Sequence, residues 1–139
     1  MIQLRLKGAT TQQLVDEGAP FRTLCAAHNI SFVVNDDVQA ALALLADGVH
    51  LGRDDEGIEQ ALAAGLLLGR SAASPEEASA AELEGAAYIG AGPVWATPSK
   101  LDADPPIGLG GLRAISEAVS IPVIAIGGID PTNARDCVE

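Results

Sequence analysis

The sequence predicts an α/β fold of about six parallel βα units. Three observations point to it. Short apolar runs such as Phe32–Val34, Val49–Leu51 and Val123–Ile126 alternate with Ala-rich amphipathic stretches, the spacing expected of parallel strands joined by crossover helices. Aromatic residues make up only 3% of the chain. The core must therefore be built from Ala, Val, Leu and Ile, and small helix residues let helices sit close to a sheet. Finally, polar residues with chemical capacity follow the apolar runs directly, where parallel sheets carry their sites. A doubly wound sheet and a barrel both satisfy this pattern, and periodicity alone does not separate them.

The elements follow in order. Ile2–Leu6 reads as a strand, and Thr10 caps a helix through the Gln12–His28 region. Gly18 and Pro20 interrupt that helix, so the expectation is a kink or two segments. Strand Phe32–Val34, helix Val38–Leu45, strand Val49–Leu51, helix Ile58–Ala64 and strand Leu66–Leu68 come next. Ser74-Pro75-Glu76-Glu77 combines an N-cap, a first-position proline and a first turn of acids, and starts a helix to about Leu83. Strand Tyr88–Ala91 leads into the Gly- and Pro-rich stretch Gly92–Leu109, whose length suits a functional loop. Helix Leu112–Val119 and strand Val123–Ile126 follow, and Asp130-Pro131 opens a last helix.

The 139 residues suffice for one compact domain. With 48% hydrophobic and 19% charged residues the chain is globular, not disordered. The net charge of −11 argues against nucleic acid and anionic membrane surfaces as partners. Any phosphate must then be held by a few local cations, backbone N–H groups or a metal. Cys25 and Cys137 are far apart with no CxxC spacing, and read as buried small hydrophobes in a reducing compartment. Met1 leads straight into strand-like sequence, so no leader segment is expected, and no apolar run approaches the ~18 residues of a membrane span. The expected location is cytoplasmic.

Several residues carry potential chemistry. Gln3, Arg5 and Lys7 alternate with Leu4 and Leu6, so on a strand all three project to one face. Two cations there suit a pyrophosphate, and an exposed polar edge accounts for them equally well. Asn35, Asp36 and Asp37 follow the second strand; Asp37 reads as a helix N-cap. Asp36 has no such explanation. Asp54 and Asp55 stand in the same relation to the third strand, and carboxylates from adjacent strand ends could share one Mg²⁺ with waters and a diphosphate. Ordinary acidic loops are the competing account. His50 within its strand reads as structural, and Ser71 carries little weight alone. Thr97, Ser99 and Lys100 could hold an anionic substrate or simply solvate a loop. Gly127-Gly128 allows close approach of a phosphate to backbone N–H groups or makes a plain turn.

Together these segments resemble the thiamine-phosphate synthase family. The resemblance rests on Gln3-Leu4-Arg5-Leu6-Lys7, Asn35-Asp36, Gly48-Val49-His50-Leu51-Gly52-Arg53-Asp54-Asp55 and Gly69-Arg70-Ser71. It continues in Gly92-Pro93-Val94-Trp95-Ala96-Thr97-Pro98-Ser99-Lys100 and Ile126-Gly127-Gly128-Ile129, in matching order over nearly the whole chain. It implies a partial TIM (β/α)8 barrel lacking the first and last βα units, so that residues 1–139 form a single, incomplete barrel domain. It also implies a transferase of thiamine biosynthesis. A pyrimidine methyl diphosphate loses pyrophosphate with Mg²⁺, and the nitrogen of a thiazole phosphate captures the pyrimidine cation. By position, Gln3, Arg5, Lys7, Asn35, Ser71 and Lys100 would hold the pyrimidine diphosphate, and Asp36 and Asp55 the Mg²⁺. Thr97, Ser99 and Gly128 would bind the thiazole phosphate; Arg5, Lys7 and Lys100 would carry the catalytic charge. No general base is required.

Arg53 stands where the family usually has Gln, Leu6 where an acid is common, and Ala96 where Pro is frequent; Pro20 enters a helix that the family keeps whole. Alternative readings are an inactive barrel fragment or ligand-binding remnant and, further off, a thiazole tautomerase. The tautomerases typically carry His where this chain has Pro93, and lack the His50-Leu51-Gly52-Arg53-Asp54-Asp55 segment. The sequence leaves open a longer reading frame, homo-oligomerisation and fusion to another thiamine enzyme.

Overall fold

A computed structural model describes residues 1–97 and 105–138. They form two compact units, Met1–Gly69 and Arg70–Glu139.

In the first unit, β1 (Ile2–Leu4), β2 (Phe32–Asn35) and β3 (Gly48–Leu51) run parallel in chain order. The register sets Leu4 beside Val34 and Asn35 beside His50. β4 (Leu67–Ala72) begins here, where the Leu67 N–H donates to the Asp47 carbonyl at 3.0 Å. Helices α1 (Thr11–Ala27), α2 (Val38–Ala43) and α3 (Ile58–Ala63) complete the unit. Thr10 caps α1 through a reciprocal capping box with Gln13. Pro20 lies inside α1, yet the helix is one element, not two segments. A proline removes one donor, but the helix continues on both sides of it, and Leu14 and Cys25 anchor it in the core. The core gathers Phe32, Val34, Val49, Leu51 and Leu68 around Leu14, Val38 and Leu44. Fully burying a side chain such as Phe32 contributes about 2–3 kcal/mol.

In the second unit, β5 (Tyr88–Ala91) pairs with β6 (Val123–Ala125) in parallel. The end of β4 belongs here too, with the Gly92 N–H donating to the Ala72 carbonyl at 3.1 Å. Ser74 caps α4 (Pro75–Leu83), with Pro75 opening the helix and Glu76 and Glu77 in its first turn, as the sequence implies. α5 (Gly108–Ala118) starts four residues before the expected Leu112. The core is Ala72, Ala78, Ala81, Ala86, Ala91, Ile89, Val94, Leu112 and Ile115.

Other expectations need correction. β1 ends at Leu4, so Arg5 and Lys7 lie beyond the strand and do not share a strand face with Gln3. β4 runs to Ala72, so Ser71 sits in a strand and not in the following loop. The helix expected from Asp130-Pro131 is replaced by a short 3-10 turn, Ala134–Cys137. The Asp130 carboxylate there accepts from Thr132 N–H at 2.7 Å and forms a local turn in place of a helical cap. Cys25 is buried, but Cys137 is only partly so. Among the described residues no helix is long and apolar enough to cross a membrane.

Candidate active site

The carboxyl ends of β1, β2 and β3 deliver Arg5, Asp36 and the Gly52–Asp55 turn to the first unit's polar end. Arg5, Lys7, Asn35 and Asp36 line a cleft of about 650 Å³ there, together with Thr11 and Glu56.

Asp36 has an unusual backbone. Its φ is 67°, the left-handed region that L-residues rarely adopt. The Asp37 N–H donates back to the Asn35 carbonyl at 2.9 Å, which closes a tight γ-turn around Asp36. The Asp36 N–H itself donates to the His50 carbonyl at 2.9 Å and ties the turn to β3. Such a conformation costs about 1 kcal/mol or more, and persists only where the surroundings hold it. Asp37 caps α2, as the sequence suggested: its Oδ1 accepts from the Ala40 N–H at 2.8 Å. Its Oδ2 accepts from the Thr11 hydroxyl at 2.6 Å.

Asp55 lies near enough to Asp36 to act on its carboxyl by hydrogen bonding and by charge. Asp55 Oδ2 also accepts from the Gly52 N–H at 2.6 Å, which folds the loop after β3 back on itself. The Asp36 carboxyl is pushed up to about 6, first by loss of hydration and then by the hydrogen bond and negative charge of Asp55. Arg5 and Lys7 act in the opposite direction. Two carboxylates close enough to share a proton can instead share a cation, which neutralises both. Among the described residues no three His, Cys, Asp or Glu side chains form a cation-binding group. A pair of carboxylates still suits Mg²⁺, which takes one or two from the protein and fills its octahedron with water and substrate phosphate.

The expected site residues divide. Arg5, Lys7, Asn35 and Asp36 line the one cleft, and Asp55 joins them through Asp36. Gln3 lies on β1, exposed and outside the cleft lining. Asp54 is exposed, and His50 is buried within β3 at 6% exposure, in keeping with a structural role. Thr11 was not foreseen: its partner lies 26 residues away, beyond the reach of any local pattern.

In the second unit, Ser71 and Thr97 are partly buried, while Ser99 and Lys100 lie outside the described residues. Gly127 (φ 90°) and Gly128 (φ 66°) follow β6 in conformations that favour glycine. A Cβ at Gly127 would stand 2.5 Å from the Pro93 Cβ, and one at Gly128 2.7 Å from the Trp95 Cβ. The Val94 N–H donates to the Ile126 carbonyl at 2.8 Å and the Trp95 N–H to the Gly127 carbonyl at 3.1 Å. The glycine pair thus lets the segment after β5 lie directly on the turn after β6.

The whole chain, residues 1–139, matches the thiamine monophosphate synthase family. It is 48% identical to the thiamine-phosphate synthase of Chloroflexus aurantiacus, covering 100% of this chain and 65% of that protein. It is also 48% identical to that of Pyrococcus furiosus, covering 99% and 67%. The solved thiamine phosphate pyrophosphorylase from Pyrococcus furiosus superimposes with a TM-score of 0.89 at 47% identity, over 99% of this chain and 66% of that one. FabK from Thermotoga maritima, 19% identical with a TM-score of 0.76, shares the fold alone. The fold class is the predicted one, α/β with six strands among the described residues, in the manner of a partial (β/α)8 barrel. The chain spans about two thirds of the length of the curated relatives it matches, 65% of the Chloroflexus protein. With a family match over its full length and relatives near half identical throughout, the chain belongs to the thiamine monophosphate synthase family.

Proposed function

We propose that this chain takes part in a thiamine-phosphate synthase reaction, with Arg5, Lys7, Asp36 and Asp55 of the first unit central to handling the diphosphate. The substrate is 4-amino-2-methyl-5-hydroxymethylpyrimidine diphosphate and the acceptor a thiazole phosphate. The bond between the pyrimidine methylene carbon and the diphosphate oxygen breaks, and its electron pair leaves with pyrophosphate. The thiazole nitrogen lone pair then forms the new carbon–nitrogen bond. No proton moves, so the reaction needs no general base.

The observation that carries the reading is the Asp36–Asp55 pair, opposed by Arg5 and Lys7 at the ends of adjacent strands. Asp36 and Asp55 would hold Mg²⁺, which when bound supplies positive charge to the departing diphosphate. Arg5 and Lys7 stabilise the same developing charge, joined by Lys100. Gln3, Asn35 and Ser71 orient the pyrimidine diphosphate. Thr97, Ser99 and Gly128 take the thiazole phosphate.

The test is product formation from the two substrates and Mg²⁺, with thiamine phosphate and pyrophosphate measured. EDTA and an Asp36→Ala, Asp55→Ala variant should each lower the rate by about 10³-fold, the scale of losing a principal charge-stabilising group. Product formation indifferent to both, or none from the folded chain, overturns the proposal.

A further inference from the structure

We propose that the Thr11 hydroxyl, acting through the Asp37 carboxylate, is a positioning group that holds Asp36 in the orientation at which it meets Asp55. The inference rests on the reading of Asp36 and Asp55 as the metal-binding pair. Asp36 is the central residue of a γ-turn with φ 67°, and a residue in that region stays there only where its surroundings hold it. The preceding side is fixed by β3, through the Asp36 N–H to the His50 carbonyl at 2.9 Å. The following side depends on Asp37.

A helix cap needs only one carboxylate oxygen, and Oδ1 meets that need at the Ala40 N–H, 2.8 Å away. The second oxygen, Oδ2, accepts from the Thr11 hydroxyl at 2.6 Å, so Asp37 is held by the first turns of both α1 and α2. A short bond to an ionised acceptor is among the stronger side-chain hydrogen bonds. The hydroxyl also sits on the wall of the cleft that Asp36 lines. The adjacent threonines have separate tasks: Thr10 caps α1 and Thr11 reaches Asp37. Without the hydroxyl, Asp37 keeps its cap but loses its tie to α1, and the γ-turn can relax and swing the Asp36 carboxylate away from Asp55.

Binding of Mn²⁺ alone, read from the loss of the free-ion paramagnetic resonance signal, tests this without reference to turnover. The unsubstituted protein should bind and Asp36→Ala should not. Thr11→Val, which keeps shape and removes only the hydroxyl, should raise the dissociation constant about tenfold, the scale for groups that orient a metal ligand. Thr11→Ser should restore binding, and all three variants should still show a cooperative thermal transition of the folded protein. Asp37→Asn, which keeps an oxygen for the cap but offers Thr11 no second carboxylate oxygen, should weaken binding as Thr11→Val does, and serves if the valine variant does not fold. Equal binding by Thr11→Val and the parent overturns the positioning role alone. So does weak binding by Thr11→Ser. Absence of Mn²⁺ binding in the parent overturns the metal pair itself, and this inference with it.

Discussion

The two units solve the same packing problem with different side chains. The first unit's core is built on Phe32, Leu51 and Leu68, with valines and leucines around them. The second unit's core has alanine at five of its nine buried positions, with Ile89 and Ile115 as its bulk. Their polar ends differ in the same sense. The first unit places charged side chains, Arg5, Lys7, Asp36 and Asp55, on the ends of its strands. The second brings backbone against backbone at Gly92, Gly127 and Gly128. A site made of side chains tolerates backbone variation but loses its function with its charges. A site made of close backbone approach has no room for a methyl group.

The contrast can be broken at four points. Phe32 is fully buried in the first unit, so Phe32→Ala should cost about 4 kcal/mol and lower the thermal midpoint by roughly 10–15 °C. A loss under 1 kcal/mol would mean that this core is no more dependent on bulk than the second. In the second unit the addition of atoms should do the damage. A Cβ at Gly92 would stand 2.2 Å from the Ile126 carbonyl oxygen, which is backbone and cannot turn aside. Gly92→Ala should therefore cost about 3 kcal/mol by denaturant unfolding, and a neutral result would refute the close-approach account.

Pro20→Ala should raise stability by about 1–2 kcal/mol, because alanine restores an α1 backbone donor, offset in part by a looser unfolded chain. A loss of stability there would mean the helix is shaped around its proline. The smallest effect is in pH. The Asp36 carboxyl is raised to about 6 from its ordinary 3.8 by lost hydration and by Asp55, against Arg5 and Lys7. Between those values the native state holds a proton that the unfolded chain has released. Its contribution to stability is therefore complete below about 3.8 and is lost as pH rises through about 6. Between about 3.8 and 6 the parent should lose stability with rising pH relative to Asp36→Asn, read from unfolding midpoints; parallel curves would mean that another group is responsible.

Much of the architecture was legible because it is local. The capping residues Thr10, Asp37 and Ser74 each bond within three residues of themselves, so a short window of sequence contains both partners. Strand cores such as Phe32–Val34 and Tyr88–Ala91 are unbroken apolar runs, and the structure buries them. Ends were less legible. β1 stops at Leu4 because its pairing with β2 stops there, although alternation continues to Lys7. β4 runs on through Arg70 and Ser71, two polar residues that read as the end of a strand.

The sequence by itself determined the order of the βα units, the capped helix starts at Thr10, Asp37 and Ser74, and the family, because these depend on composition and on contacts between near neighbours. It also placed Asp36 and Asp55 at neighbouring strand ends. Tertiary structure alone decided that Asp55 comes near enough to act on the Asp36 carboxyl, that Asp36 is held in a left-handed turn, and that Thr11 reaches the residue beside it across 26 positions. Those are distances between segments remote in the chain, and they are set by strand register and helix packing that no local pattern records.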